Sequence, residues 1–319
     1  MWSFIFPGQG SQSPGMGKFL FENFATAKQT FEEASDAISF DLKKLCFEGS
    51  EADLALTENT QPALLTTSTA SYRVLKEIAP VNPIAAIGHS IGEYAAVVSA
   101  DSLDFSSAVR AVRQRGKSMQ SAVPVGEGAM AAVMGLDETQ IRFLCDQVQK
   151  TTGKVLEPAN FNSPGQIVIS GHAAAMAWLK DNFKPETLPG EPKRAKLIPL
   201  NVSAPFHCSL MKPAEDQMRA FLTELKFQDA RFPIIQNFTA QKTTEATSIR
   251  ENLIKQISGP VRWIECTETL SQLGATKCIE LGHGKVASGL VKKIASQLET
   301  FNFNSLEDIK VIETAIKGN

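Results

Sequence analysis

Residues 84–100 leave little freedom to the fold around them. Ile84 to Ile87 is an apolar run that reads as a buried strand, Gly88-His89-Ser90-Ile91-Gly92 is a tight turn, and Glu93 to Ala100 reads as a helix. A strand, a G-x-S-x-G turn and a helix in that order are the context of a nucleophile elbow, which exposes a serine at the tip of the turn. The constraint is steric: the positions two before and two after the serine have almost no room for side chains, and glycines stand at both. The serine hydroxyl is then held at a helix N-terminus, where unpaired N–H groups favour developing negative charge. A glycine-rich turn before a buried helix is the plainer reading of the pentapeptide, but the flanking strand and helix weigh against it. Ser90 is therefore the candidate nucleophile, and the rest of the chain must supply a base, an oxyanion hole and a specificity element.

Apolar and polar periodicity places the other elements around this unit. Ser3–Phe6 reads as a short buried strand, followed by a loop, Pro7-Gly8-Gln9-Gly10-Ser11-Gln12, whose glycines let backbone approach a ligand. It is no phosphate-binding P-loop, because no Gly-Lys-Ser/Thr follows. Helices are expected over 22–38, 41–46 and from Thr60 to Ile78, with Thr60 as N-cap and Pro62 in the first turn. From 128 to 201 the order is strand (128–136), helix (139–149), strands (154–161 and 166–170), helix (173–183) and strand (193–200), a ferredoxin-like β-α-β-β-α-β pattern. The chain then resumes helices over 211–225, 249–257, 261–273, 286–298 and 305–316, with strands at 233–239 and 277–281. The predicted fold class is α/β. A large domain (1–127 and 202–319) has a mostly parallel sheet resembling that of α/β-hydrolases, and a small ferredoxin-like subdomain (128–201) is inserted into it.

Bulk properties narrow the function classes. Of 319 residues, 43% are hydrophobic and 21% charged, the balance of an ordinary globular protein. A net charge of −2 gives no argument for nucleic acid or an anionic membrane surface. The five cysteines are scattered without a C-x-x-C, so neither a disulfide framework nor a zinc site is expected, and a reducing compartment fits best. The N-terminus has no basic region and too short an apolar stretch for a signal peptide, and no run of ~18 apolar residues would span a membrane. A soluble, cytoplasmic, metal-free protein is the expectation.

Two further features bear on chemistry. On the helix over 104–121, Phe105, Ala108, Val109, Val112, Gly116 and Met119 form one apolar stripe. Arg110 points away from it, Arg113 lies about 100° from its centre and Arg115 only about 60°. An arginine at the edge of a buried face needs an anionic partner, either a protein carboxylate or the carboxylate of a substrate gripped bidentately. A serine nucleophile also needs a base, and there are four histidines. His89 is adjacent to Ser90 and points apart from it, and His172 ends a strand of the small subdomain. His207, in the loop where the chain re-enters the large domain, is favoured over His283, in a Gly-rich turn after the last core strand. No acid stands out to orient the imidazole, and the absence of a late histidine departs from the ordinary α/β-hydrolase order.

Phe6-Pro7-Gly8-Gln9-Gly10-Ser11-Gln12, Thr60-Gln61-Pro62-Ala63, Gly88-His89-Ser90-Ile91-Gly92-Glu93-Tyr94, Arg115-Gly116-Lys117-Ser118-Met119-Gln120, Asn160-Phe161-Asn162-Ser163-Pro164-Gly165-Gln166, Ser203-Ala204-Pro205-Phe206-His207-Cys208 and Pro260-Val261-Arg262-Trp263 together resemble the malonyl-CoA:acyl-carrier-protein transacylases. The resemblance runs in order through nearly the whole chain. It implies Ser90 as the acylated nucleophile, His207 as its base, and the main-chain carbonyl of Gln256 as the group that orients the histidine. It also implies Arg115 as the ligand of the malonyl carboxylate, and the N–H groups of Gln9 and Ile91 as the oxyanion hole. Met119, Asn160 and Gln61 match pocket positions, and Phe206 matches malonyl-selective members. The implied partners are malonyl-CoA and acyl carrier protein, with the coenzyme A thioester as substrate and no cofactor or metal, in a monomer serving fatty-acid or polyketide synthesis. Basic residues such as Lys193, Arg194 and Lys292 are candidates for meeting an acidic carrier. One departure is Gly282-His283-Gly284-Lys285, where the family usually has Gly-Pro-Gly-Lys. The rival readings are a serine hydrolase or thioesterase, an acetyl- or methylmalonyl-selective acyltransferase, and a non-catalytic carrier-binding scaffold.

Overall fold

The central strands are too apolar to leave either face to water, and the chain covers both. The computed structural model describes residues 1–192 and 194–318. Strand β1 (Trp2–Phe6) is followed by helices α1 (Lys18–Asn23), α2 (Ala25–Ile38), α3 (Leu42–Glu48), α4 (Glu51–Ala55) and α5 (Thr57–Ile78). Strand β2 (Ala86–Gly88) and helices α6 (Gly92–Ser99) and α7 (Phe105–Ser121) form the elbow unit and the arginine helix. Next come β3 (Gly128–Met134), α8 (Glu138–Thr152), β4 (Leu156–Ser163), β5 (Gln166–His172), α9 (Ala173–Asn182) and β6 (Lys196–Pro199). The chain continues through α10 (Lys212–Thr223), β7 (Ile234–Ile235), β8 (Lys242–Thr243), α11 (Ala246–Lys255) and α12 (Trp263–Gln272). It ends with β9 (Lys277–Glu280), α13 (Val286–Ile294), β10 (Glu299–Asn302) and α14 (Leu306–Lys317).

The large sheet has the order β10-β9-β1-β2-β7-β8, parallel at every pairing except the last. Its period of two sorts side chains between the faces. Phe4, Phe6, Ala86, Ile234 and Ile279 enter one core with α2, α5, α6 and α7. Ile5, Ile87, Ile235 and Cys278 enter the other with Val261, Trp263, Leu270, Ala287 and Val291. Burying each large apolar side chain contributes roughly 1.5–3 kcal/mol. The second sheet, β4-β5-β3-β6, is antiparallel. Ala131, Val133, Ile167 and Ile169 pack on its helix-covered face. Met130, Ala132 and Val168 face the other way, into the larger core. A parallel bridge between Asn160 and Val261 joins this sheet to the rest, with Val261 N–H donating to Ala159 O at 2.8 Å.

Several elements differ from the sequence expectation. The helix expected over 22–38 is two helices, because Phe24 adopts an extended conformation between them. Helix α4 has no counterpart in the expectation; Ser50 caps it by accepting from the Asp53 N–H. Thr60 is not an N-cap: α5 begins at Thr57, and the Thr60 hydroxyl donates instead to the carbonyls of Leu54 and Leu56. Pro62 therefore sits inside the helix, where its missing N–H leaves the Glu58 carbonyl without its helical donor. Arg113 supplies the replacement, donating to Glu58 O at 3.0 Å. The strand expected over 233–239 pairs only at Ile234–Ile235, and Gln236 and Asn237 leave the sheet for the interior of the site. The short strands β8 and β10 at the sheet edges are additions to the expected set, and Val261 bridges before α12 starts at Trp263. The strand expected over 193–200 pairs from Lys196 to Pro199, and Lys193 lies outside the described residues.

The elbow is as tight as its glycines suggest. A Cβ on Gly88 would lie 2.0 Å from the Gly92 carbonyl, and one on Gly92 would lie 2.5 Å from Phe6 O. Both obstacles are backbone, so Gly88→Ala is expected to cost about 3 kcal/mol or more in a urea unfolding series. Gly289→Ala on α13, where an added Cβ meets nothing within 4 Å, should instead be neutral or stabilising by up to about 1 kcal/mol. Equal midpoints for the two variants would contradict this packing.

Candidate active site

Ser90 stands between the end of β2 and the start of α6 in a left-handed conformation, φ 50°. Such a conformation is uncommon for a residue with a side chain and clusters at functional sites. Its own N–H is not free: it donates to Asn237 Oδ1 at 2.7 Å. His207 also has a positive φ, 60°, and its Nε2 lies 2.7 Å from Ser90 Oγ. His207 Nδ1 lies 2.8 Å from the main-chain oxygen of Gln256. A carbonyl only accepts, so Nδ1 carries the proton and Nε2 is the acceptor for the serine hydroxyl. The Gln256 carbonyl is available because it closes α11, and the last carbonyls of a helix have no intrahelical donor. The negative end of the helix dipole points the same way.

Arg115 is 2% exposed, and its donors meet only neutral oxygens. One terminal nitrogen donates to Gln61 Oε1 at 2.8 Å; the other donates to Gln256 Oε1 at 2.9 Å and to Ser90 Oγ at 3.1 Å. Its Nε–H has no partner among the described residues. The expectation left open a protein carboxylate as partner; the nearest link to one runs through the Gln256 amide, which donates to Glu93 Oε2 at 3.0 Å. Glu93 is fully buried and also accepts from the Asn237 N–H at 2.7 Å and from Gln236 Nε2 at 3.1 Å. Asn237 Nδ2 in turn donates to Gly88 O at 2.8 Å, so this polar frame holds both ends of the elbow.

Burial sets the protonation behaviour here. Loss of hydration pushes His207 down to about 3, with the Arg115 charge acting in the same direction. Burial pushes Glu93 up to about 7, opposed by its three hydrogen-bond donors and by Arg115. His207 is thus a neutral acceptor around pH 7, positioned on the serine hydroxyl.

A cavity of about 150 Å³ opens on this cluster. Ser90, His207, Arg115, Gln9, Ile91, Met119, Asn160, Gln61 and Phe206 all line it, while Gln256 stands behind it. The N–H groups of Gln9 and Ile91 find no acceptor among the described residues. The remaining histidines are elsewhere employed. His89 Nε2 pairs with Asn162 Oδ1 at 2.7 Å and its ring lies 5.3 Å from that of Trp263. His172 Nδ1 accepts from the Val155 N–H at 3.0 Å, and His283 Nε2 lies 2.7 Å from Ser13 Oγ. Arg194 and Lys292 are exposed.

Glu93, Gln236 and Asn237, which form the polar frame behind the cluster, are not singled out by the sequence reading. The available signal is one acid in an otherwise apolar helix and two amides directly after an apolar strand. Met130, Val168, Leu200 and Val202, which complete the cavity wall from the smaller sheet and the segment leaving it, carry no signal of their own.

Known proteins are similar to this chain over nearly its whole length. A family model described as acyl transferase domain matches residues 3–313. A malonyl CoA-acyl carrier protein transacylase of Staphylococcus aureus (strain COL) is 43% identical over 307 residues, 96% of each chain. A crystal structure of an acyl carrier protein S-malonyltransferase from Vibrio cholerae has a TM-score of 0.91 at 42% identity, covering 98% of this chain and 99% of that one. A malonyl-transacylase in complex with its type II PKS acyl-carrier protein has a TM-score of 0.92 at 41% identity, covering 100% and 99%. The chain belongs to the acyl transferase family, among the malonyl CoA-acyl carrier protein transacylases.

Proposed function

We propose that the protein transfers a malonyl group from malonyl-CoA to the pantetheine thiol of acyl carrier protein through a malonyl ester on Ser90. The observation that carries this reading is the buried Arg115 guanidinium, which faces Ser90 and has no carboxylate against it among the described residues. A buried cation without a counter-ion is costly, and a substrate carboxylate relieves that cost.

In the first half-reaction His207 Nε2 takes the Ser90 proton as Oγ attacks the thioester carbonyl. The C=O electrons move onto oxygen, where the N–H groups of Gln9 and Ile91 stabilise the charge by ~2.7–4 kcal/mol each. The intermediate collapses by breaking the carbon–sulfur bond, and the proton on His207 goes to the departing CoA sulfur. In the second half the carrier thiol gives its proton to His207, attacks the ester carbonyl, and Ser90 leaves as the hydroxyl. The kinetics are then ping-pong, and every proton and electron pair is accounted for by these groups. The carbonyl of Gln256 keeps His207 in the tautomer that both halves need. Asn160, Met119, Gln61 and Phe206 shape the pocket for the malonyl chain. The relative solved with its carrier protein supports the choice of acceptor. We read 128–201 as a ferredoxin-like subdomain inserted into an α/β-hydrolase-like domain (1–127 and 202–319), a reading supported by the strand order of the small sheet. A monomer in the cytoplasm, supplying fatty-acid or polyketide elongation, completes the proposal; no helix of the described residues is long and apolar enough to cross a membrane.

Intact-protein mass spectrometry with malonyl-CoA or acetyl-CoA tests the reaction. A malonyl adduct absent from Ser90→Ala and discharged faster by acyl carrier protein than by water is the expected result. Rapid discharge by water would identify a thioesterase, and equal acetyl labelling would sink the malonyl assignment. Arg115→Ala should lower malonyl loading by about 3–5 kcal/mol, a hundredfold or more, with a far smaller effect on acetyl loading.

The pH dependence has a defined sign. His207 acts neutral, and its lowered pKa keeps it neutral well below the ordinary histidine value of 6.5. Loading measured as kcat/KM should therefore stay level from pH 8 to about pH 5 as far as this base is concerned. An acid limb centred near 6.5 would mean that the imidazole is not desolvated in the free enzyme.

A further inference from the structure

Glu93 is a buried acid for which the reaction proposed above has no use, yet its hydrogen bonds reach the residues that hold Arg115. We infer that Glu93 is a positioning residue for malonyl specificity: it fixes the orientation of the Gln256 side-chain amide so that its oxygen, not its NH₂, faces the Arg115 guanidinium. The inference rests on the reading of Arg115 as the ligand of the malonyl carboxylate.

The chain of contacts admits one orientation. An amide end can point either way, and only its neighbours decide. On one side of Gln256, Arg115 offers only donors, so oxygen must face it, as it does at 2.9 Å. On the other side the amide nitrogen donates to Glu93 Oε2 at 3.0 Å, to Ser90 O at 3.1 Å and to Asn237 Oδ1 at 3.3 Å, all acceptors. Glu93 is itself unable to turn away. Its Oε2 also takes the Asn237 N–H, a backbone group that cannot rotate, at 2.7 Å. Its Oε1 takes Gln236 Nε2, whose own oxygen is committed to Asn252 Nδ2 at 2.7 Å. Three donors converge on one carboxylate, and no group around it asks it to donate.

Glu93→Gln keeps the shape and replaces one acceptor oxygen with an NH₂. Whichever way the new amide turns, at least one of the three donors meets a donor. An NH₂ at the Oε2 position meets the Gln256 NH₂ directly, and one at the Oε1 position leaves Gln256 donating to a neutral amide oxygen in place of a carboxylate; either way the amide that holds the Arg115 guanidinium is less firmly fixed. The carboxylate also repels a malonyl carboxylate, so its loss acts in the opposite direction through space. The net sign of the effect therefore separates positioning from simple charge removal.

The test compares kcat/KM for malonyl and acetyl loading of the full-length protein by intact mass. Glu93→Gln is expected to lower the malonyl-to-acetyl ratio about tenfold, mainly through KM for malonyl-CoA. In an Arg115→Ala background the same substitution should leave the ratio unchanged, because the group it positions is gone. Gln236→Met, which removes one donor from Glu93 without touching Gln256, should lower Tm while keeping the wild-type ratio. Equal losses for both substrates, or a ratio unchanged or raised in Glu93→Gln, would overturn the inference. If Glu93→Gln fails to fold, Gln256→Met carries the test, and a wild-type ratio there overturns it. Failure of the underlying reading is distinct: wild type would not prefer malonyl, or Arg115→Ala would not change the preference.

Discussion

Arg115 brings a full positive charge into the protein interior with amide and hydroxyl oxygens around it and no carboxylate in contact among the described residues. That arrangement is expensive, and much of the surrounding structure is explained by the need to sustain it. Helix α7 carries the arginine, α5 supplies Gln61, and the end of α11 supplies Gln256. Glu93 lies behind Gln256, close enough to temper the charge and separated from it by a neutral amide. A direct ion pair would have compensated the guanidinium charge inside the protein. The relayed arrangement leaves the guanidinium without a direct counter-ion among the described residues.

The same frame builds the turn that carries Ser90. Gly88 and Gly92 come so close that no side chain fits at either position, and the serine between them is forced into a left-handed conformation. Strain of this kind costs of order 1–3 kcal/mol and persists only where neighbours hold it in place. Asn237 supplies that hold, taking the Ser90 N–H and giving a hydrogen bond to Gly88 O. Consequently the serine's own amide is withdrawn from any oxyanion role, and the amides beside it without an acceptor among the described residues are those of Ile91 and Gln9. His207 needs no acid to orient it because a helix ends where its Nδ1 points. A carbonyl at a helix C-terminus combines an unused acceptor with a favourable dipole.

Legibility from sequence follows the range of the interactions involved. The elbow is readable because its cause is local: two glycines flanking a serine between an apolar strand and a helix. Arg115 is readable as an outlier on an apolar stripe, since helical periodicity places it within one element. The start of α5 is not, because Thr60 and Pro62 form a strong local N-terminal signal in the wrong place. Arg113, reaching from another helix to the Glu58 carbonyl, makes an interior proline tolerable there. The strand expected over 233–239 is too long because Gln236 and Asn237 are drawn out of the sheet by Glu93, about 140 residues earlier in the chain.

The sequence by itself determined the alternation of strands and helices, the mostly parallel sheet, the glycine-flanked serine turn and the arginine at the edge of an apolar helix face. These depend on periodicity, on glycine sterics and on motifs whose members lie within a few residues of one another. The residue pattern favoured His207 over His283 and found no acid to orient it, and the Gln256 carbonyl entered only through the resemblance; the tertiary structure brought these groups to Ser90 and decided which groups temper Arg115 from a distance. Those are contacts between residues 25 to 166 positions apart. Their geometry is set by how helices pack on the sheet, and no local pattern of residues encodes it.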